Sequence, residues 1–506
     1  FGLGGNERIF YCLSGLFIFG ATMVNIESSK HRHLPNLPKW HKAFWVVWMV
    51  EFWERFGYYG VSAILPLYFV QYLGYSESQS FYVFGSFTAF VYGFVWIGGW
   101  LGDNYLGPVR TLILGAVILT GAYMVLAFAN REMIFYALSG IVVGNTLFKA
   151  NSGSLISNLY AEGDPALVGA MTFYYVAVNL GALCSMALTP MVMEKYGWGR
   201  AFCLSVVGLS LGLSYFIFKR RLFVSATQNV KEVPVSRLVL VSVGSFFAIM
   251  SMAQLLSYPA MCNWVVYVVV SCGFMYFLYL AFSLQGRARH RMIVAFILVL
   301  QGVLFHSLYN QMPTSITFFA VHHIHNSVLG FTISPAQYQV LNPLFIVLLS
   351  PLFVYGYRVF PATFVTQFCL GISLVACAFF VLALPQWVSI DGLASPGWLL
   401  LSYFFQSSGE LLVSGLGMAM VTSLCPRDKS GFVIGIWFLS TMLAGPIGAW
   451  IGSLTTSSTA TSALSLLSGM HIYGQVFLKI GGVTGGIALL MWMIRPWLNQ
   501  MMVSVD

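Results

Sequence analysis

Long apolar segments recur along the whole chain, and they limit its fold more strictly than any other feature of the sequence. A transmembrane helix needs about 20 predominantly apolar residues, and each of these segments reaches that length. Charged residues make up 8% of the 506-residue chain, whereas soluble proteins contain roughly 25%. The sequence therefore predicts an all-α, polytopic membrane protein with about fourteen spans, at residues 44–72, 79–101, 110–129, 133–158, 167–192, 198–218, 237–256, 260–284, 291–310, 335–355, 362–385, 396–424, 429–454 and 472–494.

The basic residues are distributed unevenly between the loops, and cytoplasmic loops of membrane proteins are enriched in Lys and Arg. If the first span starts inside, the outer loops hold Arg131, Lys195 and Arg200. The inner loops hold Arg110, Lys219, Arg220, Arg221, Lys231, Arg237, Arg287, Arg289, Arg291, Arg358, Arg427 and Lys429. We therefore predict that both ends of the transport core are cytoplasmic. This bias and contact with anionic membrane lipid explain the net charge of +9 without a nucleic acid partner.

The longest basic linker, at 219–237, has six predicted spans before it and eight after it. Two of those eight have almost no ionisable residues and end at another basic loop. A pair of six-helix bundles is typical of transporters that hold substrate near the bilayer midplane. We predict four units: an N-terminal extension at 1–43, basic and cytoplasmic near its end, a six-helix bundle at 44–218, a cytoplasmic linker with two extra transmembrane helices at 219–290, and a second six-helix bundle at 291–506. Whether residues 1–40 belong to the mature protein stays open.

Three charged residues lie within the first span, in the segment EFWERFGYYG at 51–60. A charge at the bilayer centre costs about 2.5–3.5 kcal/mol, so such side chains normally face a bundle interior or a watery cavity. On a helix, Glu51, Arg55, Tyr58 and Ser62 share one face, and Glu54 lies beside it. Two acids and one base leave one carboxylate in surplus, which is available to take up a proton.

Two more ionisable residues lie deep in predicted spans, one in each half of the chain: Lys149 in 133–158 and Glu410 in 396–424. A cavity with a cation on one wall and an anion on the other suits a zwitterion. A purely structural ion pair with neighbouring helices is the alternative. Around His322, His323 and His325, the sequence favours a solvated outer loop over a surface metal site, and we expect no metal, cofactor or catalytic site.

Several motifs carry a resemblance to a known family. EFWERFGYYG resembles the ExxERFxYYG motif of the proton-dependent oligopeptide transporter family, within the major facilitator superfamily. FYYVAVNLGA at 173–182 resembles the second signature of that family, FYxxINxGS, and GGWLGDNYLGPVRTL at 98–112 resembles the inner loop motif of the superfamily. KAN at 149–151, LNPLF at 341–345 and SSGE at 407–410 also match. The matches extend over about 44–495 and are most similar to the bacterial dipeptide and tripeptide permeases.

The resemblance implies a proton-coupled symporter, not an enzyme, that imports di- and tripeptides across the bacterial inner membrane by alternating access, and we expect a monomer. A proton-coupled transporter of another small substrate, such as a peptide-like drug or a small anion, is the alternative. The resemblance assigns proton coupling to Glu51, Glu54, Arg55 and Lys149. It assigns peptide binding to Tyr58, Tyr92, Lys149, Asn179, His306, Gln311, Asn342, Glu410 and Trp437. For Tyr58, Tyr92 and Trp437, aromatic packing between helices is the alternative.

The chain departs from the family at three positions. Ser62 and Asn310 stand where many members have an Arg and an acid that form an ion pair near the outer gate. We infer that the outer gate closes here without this ion pair and that Lys149 carries more of the carboxylate recognition. His306 stands where many relatives have Trp. It either takes part in the proton path, or alters the side-chain pocket, or is a structural histidine that is hydrogen-bonded to a neighbouring group.

Overall fold

The computed structural model describes residues 41–161, 164–223, 234–328, 331–426, 429–456 and 463–503. The predicted extension at 1–43 therefore lies outside the described residues except for its last three positions. Within the described part, the seventeen α-helices in chain order are α1 Lys42–Gln71, α2 Glu77–Gly93, α3 Val95–Leu101, α4 Pro108–Ala127, α5 Ile134–Ser157, α6 Pro165–Tyr196, α7 Trp198–Lys219, α8 Val235–Leu256, α9 Pro259–Ser283, α10 Gly286–Tyr309, α11 Thr317–His323, α12 Leu341–Val359, α13 Phe364–Ala383, α14 Pro385–Val388, α15 Gly397–Leu424, α16 Ser430–Ser453 and α17 Ala463–Val503.

Short irregular elements connect some of these helices. Two π-helical segments lie at Gly102–Leu106 and Met312–Ile316, and two 3₁₀ segments lie at Arg220–Phe223 and Pro335–Val340. The strands β1 Ser327–Val328 and β2 Phe331–Thr332 form a two-residue antiparallel hairpin between α11 and α12. The sequence predicted no strand here, and the hairpin is too short to change the helical character of the fold.

Eleven helical segments of the described chain are long and apolar enough to cross a membrane. Three further helices are equally long but more polar: α1 with 30 residues, α5 with 24 and α15 with 28. These three carry the intramembrane charges that the sequence singled out, on Glu51, Glu54 and Arg55 in α1, Lys149 in α5 and Glu410 in α15. Together they account for the predicted spans and confirm an all-α, polytopic membrane protein.

The π segment after α10 breaks a long helical element at the cavity. Pro313 lacks an N–H group, and Thr314 leaves the helical region with φ −106° and ψ −106°. Because a proline interrupts the backbone hydrogen bonds, the chain turns before it continues as α11. Asn310, Met312 and Pro313 consequently line the space between the two halves of the molecule.

The two halves of the chain meet closely along α2 and α16. A Cβ atom added at Gly85 in α2 would lie 2.6 Å from the carbonyl oxygen of Gly445 in α16, so only glycine permits this approach. Two hydrogen bonds also join the halves: Gln339 Nε2 donates to the Ala63 carbonyl at 2.9 Å, and Gln337 Nε2 donates to the Ala187 carbonyl at 2.9 Å. These neutral contacts join the halves at the end of the cavity next to the Pro335–Val340 segment.

The histidine cluster lies at this same end and is more ordered than a solvated loop. His322 and His323 belong to α11, and His323 is buried with Nδ1 3.0 Å from the Gly392 carbonyl oxygen. His322 Nε2 lies 2.8 Å from Glu77 Oε1 at the start of α2, which adds a contact between the halves. The predicted solvated loop was wrong for His323, which is helical and buried, whereas the side chains of His322 and His325 are exposed as expected. Within the described residues, no group of three or more His, Cys, Asp or Glu side chains could hold a metal ion.

The two extra helices, α8 and α9, pack against different parts of the protein. In α9, Tyr276 and Phe277 contact Phe432 of α16, with ring centroids 5.0 Å and 6.5 Å apart. In α8, the Arg237 guanidinium lies 5.0 Å from the ring centroid of Tyr105, which precedes α4. Large apolar side chains along both helices are exposed, as expected for surfaces that face lipid. The division into units at 1–43, 44–218, 219–290 and 291–506 stays a prediction.

Candidate functional site

A cavity of about 360 Å³ lies between the two halves. Its wall contains side chains from α1, α2, α5 and α6 on one side and from α10, α12, α15 and α16 on the other. Ten of the predicted site residues line it: Glu51, Arg55, Tyr58, Tyr92, Lys149, Asn179, His306, Asn342, Glu410 and Trp437. The structure therefore brings together residues that are more than 350 positions apart in the chain.

Two predicted site residues, Glu54 and Gln311, lie behind the cavity wall. Gln311 is fully buried; its Nε2 donates to the carbonyl oxygens of Ser307 at 3.0 Å and Gly448 at 2.9 Å, and its Oε1 accepts from Ser315 Oγ at 2.8 Å. These bonds tie α10 and the π segment to α16. The amide of Gln311 is thus engaged by the protein and holds the wall in place.

The acidic pair of α1 divides into one satisfied and one unsatisfied carboxylate. Glu54 is fully buried, its Oε2 accepts from Arg55 Nε, and its Oε1 accepts from Asn145 Nδ2 at 3.1 Å. Glu51 Oε1 lies 3.2 Å from Arg55 Nε, whereas Glu51 Oε2 is buried without a hydrogen-bond partner. Glu51 lines the cavity and Glu54 does not. The sequence placed both acids on or beside one face, and tertiary packing separates their surroundings.

The cations of this wall lie against aromatic rings. Lys149 Nζ is 3.9 Å from the ring centroid of Tyr92, and Arg55 Cζ is 5.4 Å from that of Tyr58. Attraction between a cation and the face of a ring is worth about 0.5–2 kcal/mol, more when the pair is desolvated. Tyr58 and Tyr92 pack edge to face with centroids 6.5 Å apart. The aromatic pair therefore packs against both cations, and Lys149, which forms no ion pair within the described residues, keeps its charge available to a ligand in the cavity.

The opposite half supplies a negative charge. Glu410 Oε2 accepts a hydrogen bond from Asn342 Nδ2 at 2.7 Å, and the same amide donates to Ser407 Oγ at 3.1 Å. This network joins α12 to α15 and orients the Glu410 carboxylate. Asn179 Nδ2 donates to the Tyr175 carbonyl at 3.0 Å, which leaves its side-chain oxygen as an acceptor in the cavity wall.

Trp437 and His306 form a rigid part of the wall. A Cβ atom at Gly302 would lie 2.7 Å from Trp437 Cζ3, and one at Gly417 would overlap the indole ring more severely. Gly302 in α10 and Gly417 in α15 therefore pack directly against the Trp437 ring. The ring of His306 lies 5.5 Å from that of Trp437, at an interplanar angle of 70°.

Sequence reasoning missed four tyrosines of the cavity wall: Tyr59, Tyr174, Tyr175 and Tyr309. The Tyr174 hydroxyl lies 2.7 Å from Ser152 Oγ, one turn after Lys149. Tyr59, Tyr174 and Tyr175 occur inside the two quoted motifs, so their presence beside predicted site residues was a usable signal. No such sequence signal marked Tyr309, because the direction of its side chain depends on the helix break that follows it.

Two helical bundles around a cavity that has cations on one wall and an anion on the other define a secondary transporter of the major facilitator type. Residues 109–470 match the family model described as PTR2, POT family. This protein belongs to the POT family. The two conclusions agree, since the matched region contains Lys149, Asn179, His306, Asn342, Glu410 and Trp437.

Named relatives and solved structures extend the similarity to nearly the whole chain. Dipeptide and tripeptide permease A of Proteus mirabilis (strain HI4320) is 41% identical over 485 residues, which cover 94% of this chain and 99% of the relative. The permease A of Escherichia coli (strain K12) is 41% identical over 474 residues, which cover 92% and 94%. A structure described as a bacterial homologue of the human drug peptide transporters PepT1 and PepT2 matches with a TM-score of 0.80 and 30% identity, over 91% of this chain and 99% of its own. A structure of tetrameric PepTSo2 matches with a TM-score of 0.81 and 32% identity, over the same shares.

Proposed function

We propose that this protein is a proton-coupled symporter that imports di- and tripeptides across the bacterial inner membrane. Membership of the POT family supports the transport class, and the bacterial relatives named dipeptide and tripeptide permease support the substrate and the membrane. The observation that carries the proposal is the position of Arg55 and Lys149 on one half of the cavity and Glu410 on the other.

A short peptide fits this arrangement of charge because it has an ammonium group at one end and a carboxylate at the other. The carboxylate binds toward Lys149 and Arg55, and the ammonium group binds Glu410, which Asn342 holds in place. Hydrogen bonds to charged groups contribute about 1.5–3 kcal/mol each. A small bare anion is a poorer substrate, since Glu410 would repel it in a medium of low dielectric constant.

The proton acts through Glu51. Its Oε2 has no hydrogen-bond partner, while both oxygens of Glu54 are engaged. Protonation of Glu51 weakens its 3.2 Å contact with Arg55 and leaves the guanidinium paired with Glu54. With one counter-charge fewer, the Arg55 guanidinium attracts the peptide carboxylate more strongly. Proton binding is thereby coupled to peptide binding.

The charge of the whole site explains why a proton is required. Glu51, Glu54 and Glu410 carry three negative charges, and Arg55 and Lys149 carry two positive charges, so the ionised site has a net charge of −1. A zwitterionic peptide adds no net charge, whereas one proton brings the loaded site to zero. Closing the bundles around a neutral load avoids burying an uncompensated charge, which is expensive in a membrane interior. We expect one proton for each zwitterionic peptide.

The predicted topology supports a direction for the cycle. If both ends of the transport core are cytoplasmic, as the basic residues predict, the end closed by Gln337, Gln339 and the Gly85–Gly445 contact is the outer end. Ser62 and Asn310 line the cavity near it, and Asn310 Nδ2 donates to the Ala444 carbonyl at 3.2 Å. At Asn310, outer closure therefore uses a neutral contact in place of the family's ion pair, whereas Ser62 Oγ is buried without a hydrogen-bond partner. Each monomer contains a complete cavity, so we expect the monomer to transport.

Competition between modified peptides tests the proposal. Uptake of radiolabelled dialanine into proteoliposomes is measured in the presence of Ala-Ala, N-acetyl-Ala-Ala or Ala-Ala-amide. We expect each blocked peptide to compete at least about tenfold more weakly than Ala-Ala, from the loss of one charged hydrogen bond. Glu410→Gln should lose discrimination against the N-acetyl peptide and keep discrimination against the amide.

Glu194→Gln is the matched control, because Glu194 is an exposed acid at the end of α6 and outside the cavity. It should discriminate as the wild-type protein does. Unchanged discrimination in Glu410→Gln would remove Glu410 from the ammonium site, and failure of every dipeptide to enter the vesicles would remove the substrate assignment.

A further inference from the structure

His306 lines the cavity, and only one of its two ring nitrogens takes part in a hydrogen bond with the protein. Its Nδ1 lies 2.7 Å from the carbonyl oxygen of Gly302, one turn earlier in α10. A carbonyl oxygen only accepts hydrogen bonds, so Nδ1 carries the hydrogen and Nε2 carries the lone pair of the neutral imidazole. Within the described part of the chain, no hydrogen bond occupies Nε2, and it is not among the buried unpaired atoms. The cavity therefore contains a neutral acceptor.

The position of this acceptor is fixed by its surroundings. Gly302 and Gly417 clasp Trp437, and the Trp437 ring packs against the His306 ring at 5.5 Å. The ring of Phe305 contacts the imidazole edge to face at 5.4 Å. A side chain held by a hydrogen bond and two ring contacts presents its free nitrogen in one direction, which is what selective recognition needs.

We propose that His306 is a specificity-determining residue whose Nε2 accepts a hydrogen bond from a side chain of the bound peptide. The protein then favours peptide residues with a hydroxyl or amide donor over aliphatic residues of the same shape. The inference rests on the proposed peptide transport and deepens it by naming a substrate preference.

The other polar groups of a peptide have better partners in this cavity. The ammonium group is drawn to the charged Glu410, and the carboxylate, which has no hydrogen to donate, is drawn to Arg55 and Lys149. The neutral acceptor Nε2 is therefore best suited to bind a hydrogen-bond donor on a peptide side chain. Without such an acceptor, a hydroxyl facing this wall would lose its hydrogen bond to water and would be disfavoured against a methyl group.

Threonine and valine provide the test because they differ by a hydroxyl in place of a methyl group. The affinities of Ala-Thr, Ala-Val, Thr-Ala and Val-Ala are measured by competition with radiolabelled dialanine in counterflow, at about pH 7.5 on both sides, where an ordinary imidazole is neutral. In His306→Phe, the preference for Thr over Val should fall about fivefold at one of the two positions, as expected for one hydrogen bond. His306→Gln keeps an acceptor oxygen and should restore most of that preference.

Three results would overturn the inference. In His306→Phe, these are an unchanged ratio of Thr to Val affinity at both positions, or an equal weakening of all four peptides, which would assign Nε2 to the peptide amide. In His306→Gln, it is a fall of the ratio as large as that in His306→Phe. His306→Leu also lacks an acceptor and replaces His306→Phe if that variant does not elute as a monodisperse protein. Absence of dialanine counterflow in the wild-type protein would remove the proposed function itself. Intact counterflow with unchanged ratios would remove this inference alone.

Discussion

Glu51→Gln should separate proton coupling from peptide binding. Glutamine has the shape of a protonated glutamate but cannot release a proton. In Glu51, one carboxylate oxygen lies 3.2 Å from Arg55 Nε, and the other has no hydrogen-bond partner. Arg55 keeps Glu54 as its counter-charge in this variant. We therefore expect a loss of stability of about 1.5 kcal/mol at most, the lower end for a bond between charged groups, because no hydrogen bond is lost at the other oxygen.

Glu54→Gln is the matched comparison on the same helix. Glu54 is fully buried, and its two oxygens accept from Arg55 and Asn145. In Glu54→Gln, Arg55 keeps only its 3.2 Å contact with Glu51, and the hydrogen bonds that Arg55 and Asn145 donate to the buried carboxylate are weakened, at about 1.5–3 kcal/mol for each bond to a charged group. This variant should unfold at a clearly lower temperature in detergent, whereas Glu51→Gln should unfold near the wild-type temperature.

The functional assay compares accumulation with exchange. A gradient of about 1.5 pH units supplies about 2 kcal/mol for one proton, which limits dialanine accumulation to roughly 30-fold. Wild-type vesicles should approach this limit, and Glu51→Gln should stay near equal concentrations inside and outside while it still exchanges labelled for unlabelled dialanine. The reasoning is refuted if Glu51→Gln accumulates dialanine as the wild type does, or if Glu54→Gln is stable and Glu51→Gln is not.

Two further predictions follow from the packing and the topology. Gly445→Ala places a methyl group against the Gly85 carbonyl and should abolish uptake by blocking the approach of α2 and α16. Gly435→Ala is the control on the same helix, because a Cβ atom added there meets no atom within 4 Å, and it should transport normally in the same vesicle assay. The second prediction concerns orientation and uses cysteine variants in a cysteine-free background, labelled with a membrane-impermeant maleimide. In intact cells the reagent should label Ile390→Cys, which is exposed on the predicted outer side, and it should label Leu222→Cys only after the cells are opened. The reverse pattern would overturn the predicted orientation.

The fold could be predicted well from the sequence because the bilayer restricts the choice of structure. Each span needs about 20 apolar residues with internally satisfied backbone groups, and this leaves a clear signal in composition. Helical spacing also predicted the cavity face of α1, where Glu51, Arg55, Tyr58 and Ser62 all line the cavity. Periodicity within one helix was sufficient there because the charges themselves marked the polar side.

The parts that sequence reasoning missed depend on contacts between helices. Tyr174 and Tyr309 lie in apolar segments, where a tyrosine that faces a cavity looks the same as one that packs in the core. Gln311 was predicted to face the peptide, yet its amide is taken up by the carbonyl oxygens of Ser307 and Gly448. The different surroundings of Glu51 and Glu54 depend on Asn145 in another helix, which no spacing within α1 could reveal.

The measurement that tests the central claim most directly is the dependence of peptide accumulation on a proton gradient. Radiolabelled dialanine uptake into proteoliposomes is followed at about pH 7.5 inside, with the outside at about pH 6 or about pH 7.5. We expect accumulation above the outside concentration only with the acidic exterior, and its collapse when a protonophore removes the gradient. Dialanine that equilibrates to the same level under both conditions would contradict proton-coupled import.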